Sequence, residues 1–252
     1  MDGALRRTLK LTLAYEGTGF AGWQRQPGER TVQAVLEDAL AAIDEQQVAV
    51  VAAGRTDAGV HALAQVASAE VSTRLPPPVL RRALNARLPD DVRITALAEA
   101  PPGFDARRSA RTKHYRYTIA QGADPGPFVR RLVWHVPQRL DVAAMIEAAA
   151  MLRGEHDFAA FQAAGGDVRT SVRRLLRSRL VYEPGRPTYL RYEVTGTGFL
   201  RHMVRNIVGT LVDVGRGRWP ATETQAILES RTRARAGVTA PPHGLVLVRV
   251  AY

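Results

Sequence analysis

The chain has 252 residues, 35 of them lysine or arginine and 24 aspartate or glutamate, so its formal charge is 35 − 24 = +11. It has no cysteine, which excludes disulfides, a thiolate nucleophile and a cysteine-ligated metal, and fits a reducing compartment. No apolar run approaches the ~18 residues of a membrane span, and residues 1–7 lack the apolar stretch of a signal peptide, so we expect a cytoplasmic globular protein with an anionic partner, nucleic acid first.

Leu9, Leu11 and Leu13 alternate with Thr8, Lys10 and Thr12, which predicts a strand ending near Tyr15. Thr31 reads as an N-cap. After it, Val32, Val35, Leu36, Ala39, Leu40 and Ile43 recur at helical spacing. Strands are predicted over 48–53 and 63–71, a proline-started helix over 76–88, and a strand over 92–97. The order is β-α-β-β-α-β. Pro101-Pro102-Gly103 then punctuates the chain, and the order recurs. A strand runs through Tyr115, Tyr117 and Ile119, with the two tyrosines on one face and Arg116 on the other. A helix follows over 141–152, then paired strands over 172–182 and 189–195 around a turn at 183–187. A long helix over 199–214, an extra helix over 222–228 and a last strand over 244–250 complete the chain. Two such units predict an α+β fold of two ferredoxin-like βαββαβ halves, residues 1–103 and 104–252. Their sheets are expected to be mostly antiparallel, with a ligand cleft where they meet.

Three sequence features bear on chemistry. Gly17-Thr18-Gly19-Phe20-Ala21-Gly22 matches GxGxxG after a strand. A dinucleotide-binding loop opens directly into a helix, whereas here helical spacing resumes only at Thr31, so a nicotinamide or flavin site is not expected. None of the six histidines sits at metal-ligand spacing with a carboxylate partner. The octapeptide Gly54-Arg55-Thr56-Asp57-Ala58-Gly59-Val60-His61 follows a buried strand and lies between glycines, a usual setting for a catalytic group. On the residues alone, Asp57 is as readily an Asx-turn or a helix cap. Arg201 and Arg205, four apart on the predicted long helix, would share one edge, which favours a nearby anion. The stretch from Arg107 to Tyr117 mixes five cations and His114 with two tyrosines, a composition suited to RNA through phosphate pairing and base stacking.

The octapeptide resembles the signature of the tRNA pseudouridine synthase A family. Further similarity lies in Gly22-Trp23-Gln24-Arg25-Gln26, Asn85-Ala86-Arg87-Leu88-Pro89, Phe104-Asp105-Ala106-Arg107, Tyr115-Arg116-Tyr117, Arg169-Thr170 and Met203-Val204-Arg205-Asn206-Ile207-Val208-Gly209, in order. The resemblance departs at Ala53, where relatives often carry cysteine, at Arg201, where they often carry histidine, and at Ala159 and Ala160, where a hydroxyl residue is expected. It implies isomerisation of uridine to pseudouridine at positions 38, 39 and 40 of the tRNA anticodon stem-loop. It also implies a flipped-out base, a homodimer, and no cofactor, metal or membrane. Asp57 matches the catalytic aspartate, on the first half. Arg55 and Arg205 match basic residues beside it, and Tyr115 the tyrosine at the target base. Tyr115, Arg55, His61, Arg201, Asn206 and Arg25 are the implied substrate-binding residues. Asp57 would act either as nucleophile or as the base that leads to a glycal-like intermediate. An inert RNA-binding module of the same fold and a carboxylate-based hydrolase are the competing readings. The full motif around Asp57 argues against the first, and the lack of a second carboxylate in that loop against the other.

Overall fold

The computed structural model describes residues 6–165 and 168–252; residues 1–5, part of the stretch read for a targeting signal, lie outside the described residues. The chain forms two compact units. The first runs to Arg111 and takes back Leu247–Tyr252; the second is Thr112–Val246. Among the described residues, no helix is long and apolar enough to cross a membrane.

In the first unit the predicted order is observed: β1 (Arg7–Tyr15), α1 (Val32–Asp44), β2 (Val50–Ala52), β3 (His61–Val71), α2 (Pro77–Arg87) and β4 (Val92–Glu99). β1 pairs antiparallel with β3 on one side and β4 on the other, and β2 pairs antiparallel with β3. Strand alternation sends Leu9, Leu11, Leu13 and Tyr15 to one face, all buried, as are Leu36 and Leu40 of α1 and Leu80 and Leu84 of α2. Thr31 caps α1 as expected, its hydroxyl accepting from Ala34 N at 3.3 Å. The last strand, β10 (Leu245–Ala251), lies beside β3. There Lys10 lies 4.2 Å from the ring centre of Tyr252.

The second unit contains β5 (Thr112–Gln121), β6 (Trp134–Val136), α3 (Val142–Met151), β7 (Gly154–Asp157), β8 (Val172–Glu183), β9 (Arg186–Gly196), α4 (Met203–Gly215) and α5 (Glu223–Ser230). β5, β9, β8 and β7 are joined in that order by antiparallel pairing, and β6 lies parallel to β5. Tyr117, Ile119, Leu190 and Tyr192 are fully buried, as are Met145 of α3 and Ile207 and Leu211 of α4. The two tyrosines of β5 do share the buried face, with Arg116 on the other. The α+β class and the antiparallel sheets therefore stand. β6 and β7 are too short to show an alternation in sequence.

The long helix is a correction. It begins at Met203 and not near Phe199, because His202 adopts a left-handed conformation with φ 58° and ends the preceding turn. Arg201 thus precedes the helix and shares no helical edge with Arg205. Its guanidinium donates instead to Ala164 O at 2.8 Å.

Candidate active site

The octapeptide is a loop between β2 and β3 whose inward groups are all tied down. Ala53 N donates to Val66 O at 2.8 Å, and Val60 N to Asp57 O at 3.1 Å, closing a turn. Thr56 is buried, its hydroxyl 2.8 Å from Tyr15 Oη. Gln65 Nε2 donates to Gly54 O at 2.7 Å and reaches the same Tyr15 oxygen at 3.4 Å. Tyr15 accepts from Gln65 there and shares a hydroxyl–hydroxyl bond with Thr56 in which either oxygen can donate. Burial pushes the Tyr15 hydroxyl up to about 12, against the smaller opposing effect of the Thr56 and Gln65 hydrogen bonds. This neutral chain anchors the loop from beneath. Thr56 points in, and its neighbours Arg55 and Asp57 reach solvent, Arg55 exposed and Asp57 half-buried.

The GxGxxG segment has a structural purpose in this unit. Gly22 has φ +98°, and a Cβ on it would lie 2.9 Å from Thr56 O and 3.1 Å from Ala58 N. A Cβ on Gly17 would lie 2.1 Å from Val60 O. Both glycines let the 17–23 backbone pass directly behind the Asp57 turn, where Trp23 N donates to Thr56 O at 3.0 Å. In the sequence these glycines read as a rejected nucleotide motif, and Gly22 also as part of the family resemblance, but neither reading sets them behind the octapeptide. Their spacing to the octapeptide was the missed signal.

His61 and Arg25 also sit in this unit. His61 is buried, and its Nδ1 accepts from Gly17 N at 2.9 Å. Glu16 Oε1 lies 3.5 Å from the same nitrogen. An Nδ1 that accepts carries no proton, so this contact is not an ion pair. Arg25 donates through Nε to Glu37 Oε2 and through Nη2 to Asp38 Oδ1, both at 2.7 Å. It thereby fastens the segment after Trp23 to α1. Glu37 is itself buried and also accepts from Val50 N at 3.1 Å.

In the second unit Tyr115 is buried on β5, its ring edge-on to Phe199 at 5.0 Å. On the opposite face of the sheet Glu193 gathers arginines. Arg179 donates to it at 2.7 and 3.0 Å, and Arg177 and Arg116 stand at 3.6 and 4.0 Å. Burial is the largest single effect on the Glu193 carboxyl and would raise it, but the Arg179 hydrogen bonds together with the charges of Arg179, His114 and Arg116 hold it below its ordinary range.

Arg205 and Asn206 lie on α4, where the helix meets the segment 233–240. Arg205 Nε donates to Ala240 O at 2.8 Å, and Ala240 N donates to Arg205 O at 3.2 Å. Asn206 is fully buried. Its amide nitrogen donates to Phe161 O at 2.8 Å, and its oxygen accepts from Thr239 Oγ1 at 2.6 Å and Arg233 Nη2 at 3.1 Å. Thr210 Oγ1 accepts from Gly237 N at 2.9 Å. The two backbones touch at Gly209, where a Cβ would lie 1.7 Å from Val238 O. Arg233 and Thr239 were not legible as partners of α4, since they stand some thirty residues away in a segment without periodicity.

The predicted residues therefore form two groups. Arg25, Arg55, Asp57 and His61 belong to the first unit, with Arg55 and Asp57 on one loop. Tyr115, Arg201, Arg205 and Asn206 belong to the second, with Arg205 and Asn206 adjacent at the start of α4. Among the described residues, no group of three or more histidines and carboxylates is arranged to hold a metal ion.

A family model described as tRNA pseudouridine synthase matches residues 12–107 and 148–252. The chain is similar to the tRNA pseudouridine synthase A of Myxococcus xanthus, 47% identical over 97% of this chain and 91% of that one. It is similar also to that of Geobacter sulfurreducens, 45% identical over 98% and 100%. A chain in the crystal structure of a Cbf5–Nop10–Gar1 complex matches 94% of this chain and 57% of its own length, at 12% identity and a TM-score of 0.35, a likeness too slight to bear on the argument. The Asp57 loop lies within the first span that the family matches, and α4 with its 233–240 partner within the second. On that match and on relatives aligned nearly end to end, the chain belongs to the tRNA pseudouridine synthase family.

Proposed function

We propose that this chain isomerises uridine to pseudouridine at positions 38, 39 and 40 of the tRNA anticodon stem-loop, with Asp57 as the catalytic carboxylate. Family membership gives the reaction class and the tRNA substrate. The observation that carries the assignment of Asp57 is the construction of its loop. Every inward group is pinned by backbone or neutral hydrogen bonds, while the carboxylate stands at the loop's surface beside Arg55. A braced loop that holds a carboxylate in a fixed position is what positioning catalysis requires.

The reaction breaks the bond from ribose C1′ to N1 and forms one from C1′ to C5. The C5 proton is lost and N1 gains one. As a nucleophile, Asp57 would attack C1′ and be displaced by C5 after the freed uracil turns. As a base, it would take the ribose C2′ proton to give a glycal-like intermediate, and return that proton to C2′ as C5 adds to C1′. Either route needs the base out of its stack. Tyr115 would stack on that base and receive the C5 proton. Arg55 and Arg205 supply positive charge to the site. For His61, Arg25 and Asn206 we propose roles in holding the backbone around it, since each spends its hydrogen bonds within its own unit.

The chain is proposed to act as a cytoplasmic homodimer, which sedimentation equilibrium checks directly. The functional test is to incubate the protein with unmodified tRNA transcripts and map pseudouridine by chemical footprinting. Pseudouridine at 38–40, absent with Asp57→Asn, is expected. Pseudouridine elsewhere overturns the position assignment, and full turnover by Asp57→Asn overturns the catalytic one.

A further inference from the structure

The segment between β5 and β6 presents an aromatic ring that the fold itself does not use. β6 runs parallel to β5, with Ile119 opposite Trp134 and Gln121 opposite Val136. The chain leaving β5 must therefore loop back outside the sheet before pairing again. The base of that loop is clamped. Gly122 N donates to Val136 O at 2.9 Å, His135 Nε2 donates to Gly122 O at 2.8 Å, and Leu140 N donates to Gln121 Oε1 at 3.0 Å. Further out, Gly126 N donates to Asp124 Oδ1 at 2.7 Å, and Leu132 N to Val129 O at 2.8 Å. Pro125 and Pro127 fix two more dihedrals. On this stiff loop Phe128 is 95% exposed, far more than any other large apolar side chain among the described residues. Arg130 and Arg131 follow one residue further on, after Val129, and both are exposed.

We propose that this loop is an RNA-binding element, with Phe128 stacking on an unpaired nucleobase of the tRNA and Arg130 pairing with a neighbouring phosphate. It rests on the reading of the chain as a tRNA-modifying enzyme and adds a contact to it. A ring held ready on a braced loop loses little freedom when a base stacks on it. The adjacent arginines decide the class of partner. They suit a polyanion, and the chain as a whole carries +11.

The test is the binding of an unmodified tRNA transcript by Phe128→Ser, Phe128→Leu, Phe128→Trp and Arg130→Gln beside the wild type, over a range of salt. Because Phe128 makes so little contact with the fold, these variants should keep the wild-type melting temperature. Phe128→Ser and Phe128→Leu are expected to weaken binding about tenfold, as loss of one base stack does, and Phe128→Trp to restore it. Arg130→Gln should lower the slope of log affinity against log salt by about one. Wild-type affinity in Phe128→Ser overturns the proposal. So does Phe128→Leu binding as well as wild type, which would mean that apolar contact suffices. A change of sedimentation state in Phe128→Ser would assign the ring to a protein interface and overturns it too. Failure of the functional reading looks different: the wild type itself would form no pseudouridine.

Discussion

The Asp57 loop of the first unit and the start of α4 in the second solve one problem by different chemistry. Each brings two backbones together at a glycine, Gly22 behind the Asp57 turn and Gly209 against Val238. Beneath the loop the ties are neutral: Tyr15, Thr56, Gln65 and the carbonyl of Gly54. Beneath α4 the hub is the Asn206 amide, with the Arg233 guanidinium as one of its donors. Burial holds that guanidinium below the usual arginine range. A neutral scaffold adds no charge of its own beneath Asp57. A scaffold with a partly buried cation gains strength from it and depends on every partner staying in place.

The largest effect that would break the comparison concerns the loop's one presented carboxylate. Asp57→Asn keeps shape and hydrogen-bonding capacity and removes the nucleophile and base. We expect no detectable pseudouridine, with tRNA affinity nearly unchanged because phosphate contacts carry most of it. Activity above a few per cent of wild type would return Asp57 to the role of a turn former. Next comes Tyr115→Phe, which keeps the edge-on contact with Phe199 and deletes one oxygen. If the hydroxyl moves the C5 proton, turnover should fall by about 10²–10⁴. If the ring only stacks, the loss should stay within roughly tenfold.

The glycines separate the two scaffolds. Gly209→Ala forces a methyl into Val238 O and should cost about 1–3 kcal/mol of stability, read by denaturant unfolding. Gly22→Ala meets both a positive φ and the backbone of Thr56 and Ala58, so it should move the Asp57 turn. A larger loss of turnover than of stability is expected there, and the reverse for Gly209→Ala. Equal losses in both variants would erase the distinction between a presenting loop and a structural hub.

These two regions also mark what the sequence disclosed. The first unit was legible nearly throughout, because Leu9, Leu11 and Leu13 alternate cleanly and Thr31 caps a helix with one apolar stripe. The α+β order and the octapeptide were legible for the same reason: they are local patterns. The start of α4 was misread because the apolar spacing of Leu200 and Met203 continues through His202, whose left-handed backbone no periodicity announces. The Asn206 hub was hidden because hydrogen bonds to Phe161, Arg233 and Thr239 join distant segments. The side of the sheet that β10 joins is equally silent, since an edge partner leaves no mark in a strand's own residues.

The smallest effect is the sharpest probe of the neutral scaffold. Tyr15→Phe deletes the buried hydroxyl between Thr56 and Gln65. At pH 8 it should cost about 0.5–1.5 kcal/mol, the net worth of one such hydrogen bond. The gap should then close as pH rises. The folded Tyr15 hydroxyl is pushed up to about 12 from an ordinary 10.0. Below pH 10 both folded and unfolded chains keep the proton, and the tyrosine's full contribution is present. Between 10 and 12 the unfolded chain loses its proton while the folded one keeps it, so this residue's contribution falls by about 1.4 kcal/mol per pH unit. Phenylalanine cannot ionise and escapes that loss. Tyr117, Tyr192 and Tyr252 are raised as well, so both proteins weaken in base, and only the difference between them reports on Tyr15. The variant should match the wild type near pH 11 and exceed it above. A gap that stays constant from pH 8 to 12 would mean that the hydroxyl reaches water, and that the loop beneath Asp57 rests on something other than this buried chain.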